Sequence, residues 1–167
     1  MGELAAYLHD LADAEVKKGM IRLAKLCAEA DKPLMLHTNE PVGHYYPGKS
    51  PMSLAGLYDL VKACPETHFQ LAHFGGGLPF YQLLKSEVSQ VMQNCVYDTA
   101  AAPFVYKPEI YPRFCELAGE GKLLYGSDYP LLALERYQKE MRTGRTDSQL
   151  QKKILGANAE AFWRLAK

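Results

Sequence analysis

No Cys-x-x-C pair occurs in the chain; its four cysteines, Cys27, Cys64, Cys95 and Cys115, stand far apart. A zinc ribbon and a thioredoxin-type motif are thereby excluded, and the thiols are expected to be reduced and mostly buried, as in a cytoplasmic protein. No apolar run approaches the ~20 residues that a membrane-spanning helix needs. The Met-Gly-Glu-Leu start has no basic stretch followed by an apolar core, so no signal peptide is expected. Neither sign of charge is in excess: 19 Lys and Arg face 19 Asp and Glu, and no basic cluster marks a nucleic-acid footprint. Nucleic acid and membrane are therefore not expected partners, and Lys17-Lys18 and Lys152-Lys153 read as solvated helix faces. Repeats, low-complexity tracts and linkers are also missing, so one domain over residues 1–167 is expected. What is present is ordinary: 48% hydrophobic and 23% charged residues, in a chain long enough to bury a substantial core.

Four short apolar runs carry the organisation: Pro33–His37, Phe69–His73, Cys95–Thr99 and Lys122–Ser127. Each is bounded by turn residues, as buried parallel strands are. Helical periodicity fills the gaps. Leu54, Leu57, Leu60 and Val61 share a face behind a Ser50-Pro51 start, and Leu83, Leu84, Val88 and Val91 form a second face. Ile110, Phe114, Leu117 and Ala118 form a third. Thr146-Asp147-Ser148-Gln149 fits a capping box before Leu150–Leu155, Gly156 is placed to end that helix, and Asn158 to cap the last one. Leu4, Tyr7, Leu8 and Leu11, then Ile21, Ala24 and Cys27, predict helix over the first 30 residues, with a break near Gly19. The strands start roughly 30 residues apart, the length of a βα unit, and the alternation predicts a parallel α/β sheet. A complete (β/α)₈ barrel takes roughly 250 residues, so about four parallel strands with helices amount to half of one.

Three polar residues fall at the C-terminal ends of these strands: His37, His73 and Asp128. Ligand sites of parallel α/β folds lie at that edge. Two imidazoles and a carboxylate suit zinc, manganese or iron(II). Singly, each has a structural reading: a hydrogen-bonded histidine at a strand end, or an aspartate fixing the Gly-Ser-Asp-Tyr-Pro turn. The glycine run at 75–77 allows either close approach to a ligand or a tight turn. Glu40, His44, Tyr45, Tyr46 and Lys49, on the long polar loop 38–49, are candidates for substrate contact; the alternative is a surface loop with Glu40 bonded locally. Asp98 either faces the same site or caps the next turn, and His9 and His68 read as structural or exposed.

The stretches Leu36–His44, Ala72–Tyr81, Val96–Ala101, Tyr125–Leu132 and Ile154–Ala159, taken in order, resemble the amidohydrolase-related family of metal-dependent hydrolases and non-oxidative decarboxylases. The resemblance implies the C-terminal half of a (β/α)₈ TIM barrel with a divalent metal, zinc first and manganese or iron next, and a small-molecule substrate. It implies His37 as a metal ligand. His73 would be either a second-metal ligand or an acid/base group, and Asp128 a ligand that also accepts a proton from the attacking water. Hydrolysis of a C–N or C–O bond is the first activity implied, and decarboxylation of an aromatic or unsaturated acid the alternative.

One departure stands out. The family places a His-x-His pair on its first strand, whereas the five histidines here, at 9, 37, 44, 68 and 73, include no two spaced that way. A half barrel also leaves an apolar inner face and open strand edges. The chain is therefore expected to be incomplete alone and to associate with a second copy or a complementary N-terminal half. A non-catalytic half-barrel interaction module is the remaining reading.

Overall fold

The computed structural model describes residues 2–5, 9–85 and 87–165. It divides into two compact units, residues 1–95 and 96–167. Strands and helices alternate along both, and both strand pairs are parallel, which is the α/β organisation expected.

In the first unit, β1 (Leu34–Leu36) and β2 (Phe69–Leu71) pair in parallel, with Leu34 opposite Phe69 and Leu36 opposite Leu71. Leu34, Leu36, Phe69 and Leu71 share one face and are all buried, while on the opposite face Gln70 is buried and Met35 half-buried, so both faces are covered. Helix α1 (Ala14–Glu29) starts at Asp13, whose carboxylate accepts from Glu15 N and Val16 N. It runs straight through Gly19, so the expected break does not occur. The expected helix over the first residues is also corrected. Leu4 forms a parallel bridge beside Leu36: Leu4 N–H donates to Met35 O, and His37 N–H to Leu4 O. The Leu4/Leu11 spacing imitates a helical face by coincidence; Tyr7 and Leu8 lie outside the described residues. Helix α2 (Leu54–Ala63) is capped by Ser53, three residues after the expected Ser50, and buries Gly56, Leu57, Leu60 and Val61. A side chain at position 56 would meet the Leu11 backbone at 2.7 Å, so Gly56 permits α2 to approach the segment before α1. The periodic stretch at 83–91 is not one helix. A tight-turn segment ends at Leu83, Leu83 and Leu84 are exposed, and only Val88–Val91 is helical (α3).

In the second unit, β3 (Cys95–Asp98) pairs in parallel with β4 (Leu123–Leu124). Between them lie α4 (Ala102–Val105) and α5 (Ile110–Ala118); α5 buries Tyr111, Phe114 and Cys115 and sets the Phe114 ring edge-on to Tyr97 at 5.1 Å. After β4 come α6 (Leu134–Thr143), α7 (Ser148–Lys152) and α8 (Asn158–Trp163). Asp147 rather than Thr146 caps α7, accepting from Gln149 N and Leu150 N. Gly156 does not end the helix. Ile154 O accepts from Tyr125 N at 2.8 Å, so Asn158 N–H bonds Lys153 O instead, and residues 153–157 form a π-turn leading into α8. Asn158 is not a cap; its amide donates to Glu120 O and Leu123 O and fastens the helix start to β4. Among the described residues no helix is long and apolar enough to cross a membrane.

Candidate metal centre

Both histidines at the strand ends of the first unit converge. His37 directly follows β1, and His73 stands two residues beyond β2. Their rings meet edge-to-face with centroids 4.9 Å apart. A third group joins them. Glu3, beside the Leu4 bridge, places Oε1 at 2.9 Å from His37 Nδ1 and 3.8 Å from His73 Nε2. One donor atom from each of Glu3, His37 and His73 lies within 4.8 Å of the others. The histidine side chains are nearly buried, at 11% and 9% exposure, whereas Glu3 opens to solvent at 36%. A carboxylate only accepts, so His37 Nδ1–H is the donor of that pair. The bond and the nearby imidazoles hold the Glu3 carboxyl below its ordinary range, against the opposing effect of partial burial.

The backbone that carries His73 is unusual. His73, Phe74, Gly75, Gly76 and Gly77 all have positive φ, between 51° and 94°, so the chain makes a left-handed turn. For His73 and Phe74 this conformation costs roughly 1–2 kcal/mol each. Burial of the Phe74 side chain contributes about 1.5–3 kcal/mol, enough to offset most of it. The glycines serve the turn, and Gly76 also serves a contact: a Cβ there would lie 2.4 Å from Asn39 O. The site edge is tied further by the Thr38 hydroxyl, which donates to Ala72 O.

The loop after β1 is pinned from within. Lys49 Nζ pairs with Glu40 at 3.1 Å and donates to Val42 O and His44 O, while Tyr46 OH donates to Glu40. Glu40 is thus bonded locally, and the loop presents His44 and Tyr45 outward, Tyr45 at 80% exposure. His9 and His68 are exposed.

Asp128 belongs to the second unit, four residues past β4, half-buried and with φ of 52°. Its loop hangs on Tyr137, whose hydroxyl donates to Ser127 O at 2.8 Å and accepts from Ala101 N. Burial pushes the Tyr137 phenol up to about 12, so it stays protonated and able to donate at neutral pH. Asp98 is fully buried and accepts from Ala100 N, the turn-capping alternative; its carboxyl also lies 3.0 Å from where a Cβ on Gly126 would be.

Glu3 is the residue that sequence reasoning missed. The available signal was Asp13: a good N-cap there separates α1 from what precedes it, which leaves residues 2–5 in the position of a strand in the βα alternation.

A family profile described as Amidohydrolase matches residues 6–165. The fold is similar to that of 5-carboxyvanillate decarboxylase from Sphingomonas paucimobilis, with 14% identity and a TM-score of 0.67, over 99% of this chain and 59% of that one. It is also similar to a dihydroxybenzoic acid decarboxylase from Polaromonas with bound manganese (15%, 0.65, 88% and 54%). A putative 2-pyrone-4,6-dicarboxylic acid hydrolase from Pseudomonas putida matches as well (15%, 0.62, 97% and 62%). At these identities the likeness is one of fold, and the chain spans less than two thirds of each of these structures. No curated protein matches in sequence.

Proposed function

Because the chain belongs to the amidohydrolase family, we propose that Glu3, His37 and His73 are donors of a divalent-metal site that hydrolyses a C–N or C–O bond of a small molecule. The convergence of one carboxylate and two imidazoles within 4.8 Å carries this reading. The set fits the ion chemically, because two histidines and a glutamate are a catalytic zinc combination that leaves a position for water. Zinc is the first candidate and manganese or iron the next. A divalent ion bound there supplies Lewis acidity and brings the pKa of a water toward ~7.

The chain's own residues divide the remaining work. Glu3 and His37, paired at 2.9 Å, are held in a ligating arrangement by the Leu4 bridge. His73 is either a ligand or the group that moves a proton to or from the substrate. The roles of metal ligand and proton acceptor proposed for Asp128 rest on the family resemblance alone. His44 and Tyr45, on the loop that Lys49 pins, are proposed substrate contacts, with Glu40 serving to hold that loop. The rest of the catalytic unit is proposed to come from a second copy or a complementary N-terminal half. Four buried free thiols suit the reducing cytoplasm.

Decarboxylation of an aromatic acid is the second reading, favoured because two of the similar structures are decarboxylases of such acids. Metal analysis is the test of the site. After loading with zinc or manganese, the protein is expected to retain about one ion per chain, and His37→Ala and His73→Ala to lose it. Metal-free protein after loading would remove the site and leave a non-catalytic interaction module. A loaded protein is then assayed on esters and amides against hydroxylated benzoic acids; turnover of the acids alone selects decarboxylation.

A further inference from the structure

We infer that Thr38, Asn39 and Gly76 are positioning residues, forming a lock that sets the separation of the His37 and His73 imidazoles. The inference rests on the metal-site reading for its purpose, although the lock itself is visible without an ion.

Thr38 and Asn39 directly follow His37, and Ala72 to Gly76 surround His73, so any bond between these segments fixes one histidine against the other. Two contacts do so. The Thr38 hydroxyl donates to Ala72 O, the carbonyl preceding His73, which Gly75 N–H also reaches within its own turn. Gly76 packs on the Asn39 carbonyl so closely that a methyl group would sit 2.4 Å from its oxygen. Asn39 is itself immobilised: its side chain accepts from Ser50 N at 2.9 Å and donates to Ser50 O at 3.2 Å, which fastens the far end of loop 38–50 to the same point. Thr38 and Asn39 are buried and Gly76 has φ of 61°, so none of them can be replaced freely. The polar side-chain atoms of Thr38 and Asn39 bond Ala72 O and Ser50. Their effect passes through the two histidines, and groups that orient ligands in this way typically change metal affinity about 10–100-fold.

The test compares wild type, Thr38→Val, Thr38→Ser, Gly76→Ala and His37→Ala, each checked by circular dichroism. Two readouts are taken: the affinity and visible ligand-field spectrum of Co²⁺, and, in the metal-free protein, the nuclear Overhauser effect between the two imidazole rings. Expected is a Co²⁺ affinity at least about tenfold lower with altered bands in Thr38→Val and Gly76→Ala, loss of the inter-ring effect in both, and recovery of both signals in Thr38→Ser. Should Gly76→Ala fail to fold, the Thr38 pair carries the comparison. Folded Thr38→Val with wild-type affinity, spectrum and inter-ring effect overturns the lock. Absence of Co²⁺ binding in wild type, with the inter-ring effect still lost in the variants, overturns the metal-site reading and leaves the lock standing.

Discussion

Glu3 and Asn158 show how much a single polar side chain decides here. Glu3 is a third polar group beside the two histidines, delivered by a segment whose apolar spacing imitates a helix, and its carboxylate is favoured by His37 over the neutral acid. Glu3→Gln keeps the shape and removes the charge. It is expected to lower zinc or manganese affinity about tenfold or more, measured by competition with a chromophoric chelator; an unchanged affinity would exclude Glu3 as a ligand. Asn158 works on stability. Its amide bonds two carbonyls, at 2.7 and 2.8 Å, and replacement by Ala leaves both without that donor. A loss of about 2 kcal/mol is expected in urea unfolding, whereas a solvent-facing cap at the same position would cost much less.

At the scale of elements, the starts and stops of helices depend on who receives each backbone bond. Periodicity located α2 and α5 and a capping-box pattern located α7, but the caps of α2 and α7 were ambiguous because Ser, Thr and Asp recur at 50–53 and 146–148. In the cluster 146–148 the structure chooses Asp147. Asp147→Ala is expected to lower unfolding free energy by about 1 kcal/mol through loss of the cap, and Thr146→Ala to leave the helix start intact; helical content by circular dichroism and the urea midpoint check both. Gly156 read as a stop signal because glycine commonly follows a helix. It is overruled by a non-local bond from Tyr125 N to Ile154 O, which widens the helix into a π-turn.

At the scale of the whole molecule, burial acts on the proton-holding groups of the core. It pushes the Cys115 thiol up to about 12 and raises the Tyr111 phenol above its ordinary value. Together with Tyr137, these groups keep protons in the folded chain that the unfolded chain releases above about pH 9 to 10. The sign follows: their contribution is fully present below pH 9 and is lost as pH rises toward 12. The urea midpoint is expected to be flat from pH 7 to 8.5 with respect to these groups and to fall above pH 9; a midpoint unchanged at pH 11 would contradict it. The cysteines should react with a thiol reagent only after unfolding, since all four are buried. Phe80, Leu83 and Phe104 are exposed apolar side chains, and burying such surface favours association. Sedimentation at tens of micromolar is expected to show species heavier than the 18.7 kDa chain; a single monomeric boundary would contradict self-association.

The four strands, their parallel pairing within each unit and the placement of His37 and His73 at strand ends were determined by the sequence alone, whereas the helices expected over the first residues and over 83–91 were not. Hydrophobic spacing is a local property, and in a parallel sheet it dictates which end of each strand faces the site. Only the tertiary structure decided that Glu3 joins the two histidines, that Glu40 pairs with Lys49 within its own loop, and that five successive residues turn left-handed behind His73. The first depends on a contact between segments 34 residues apart and the last on strain that buried neighbours offset, and neither leaves a mark in local spacing; the Glu40–Lys49 pair, nine residues apart, is a choice between two readings that the loop sequence left open.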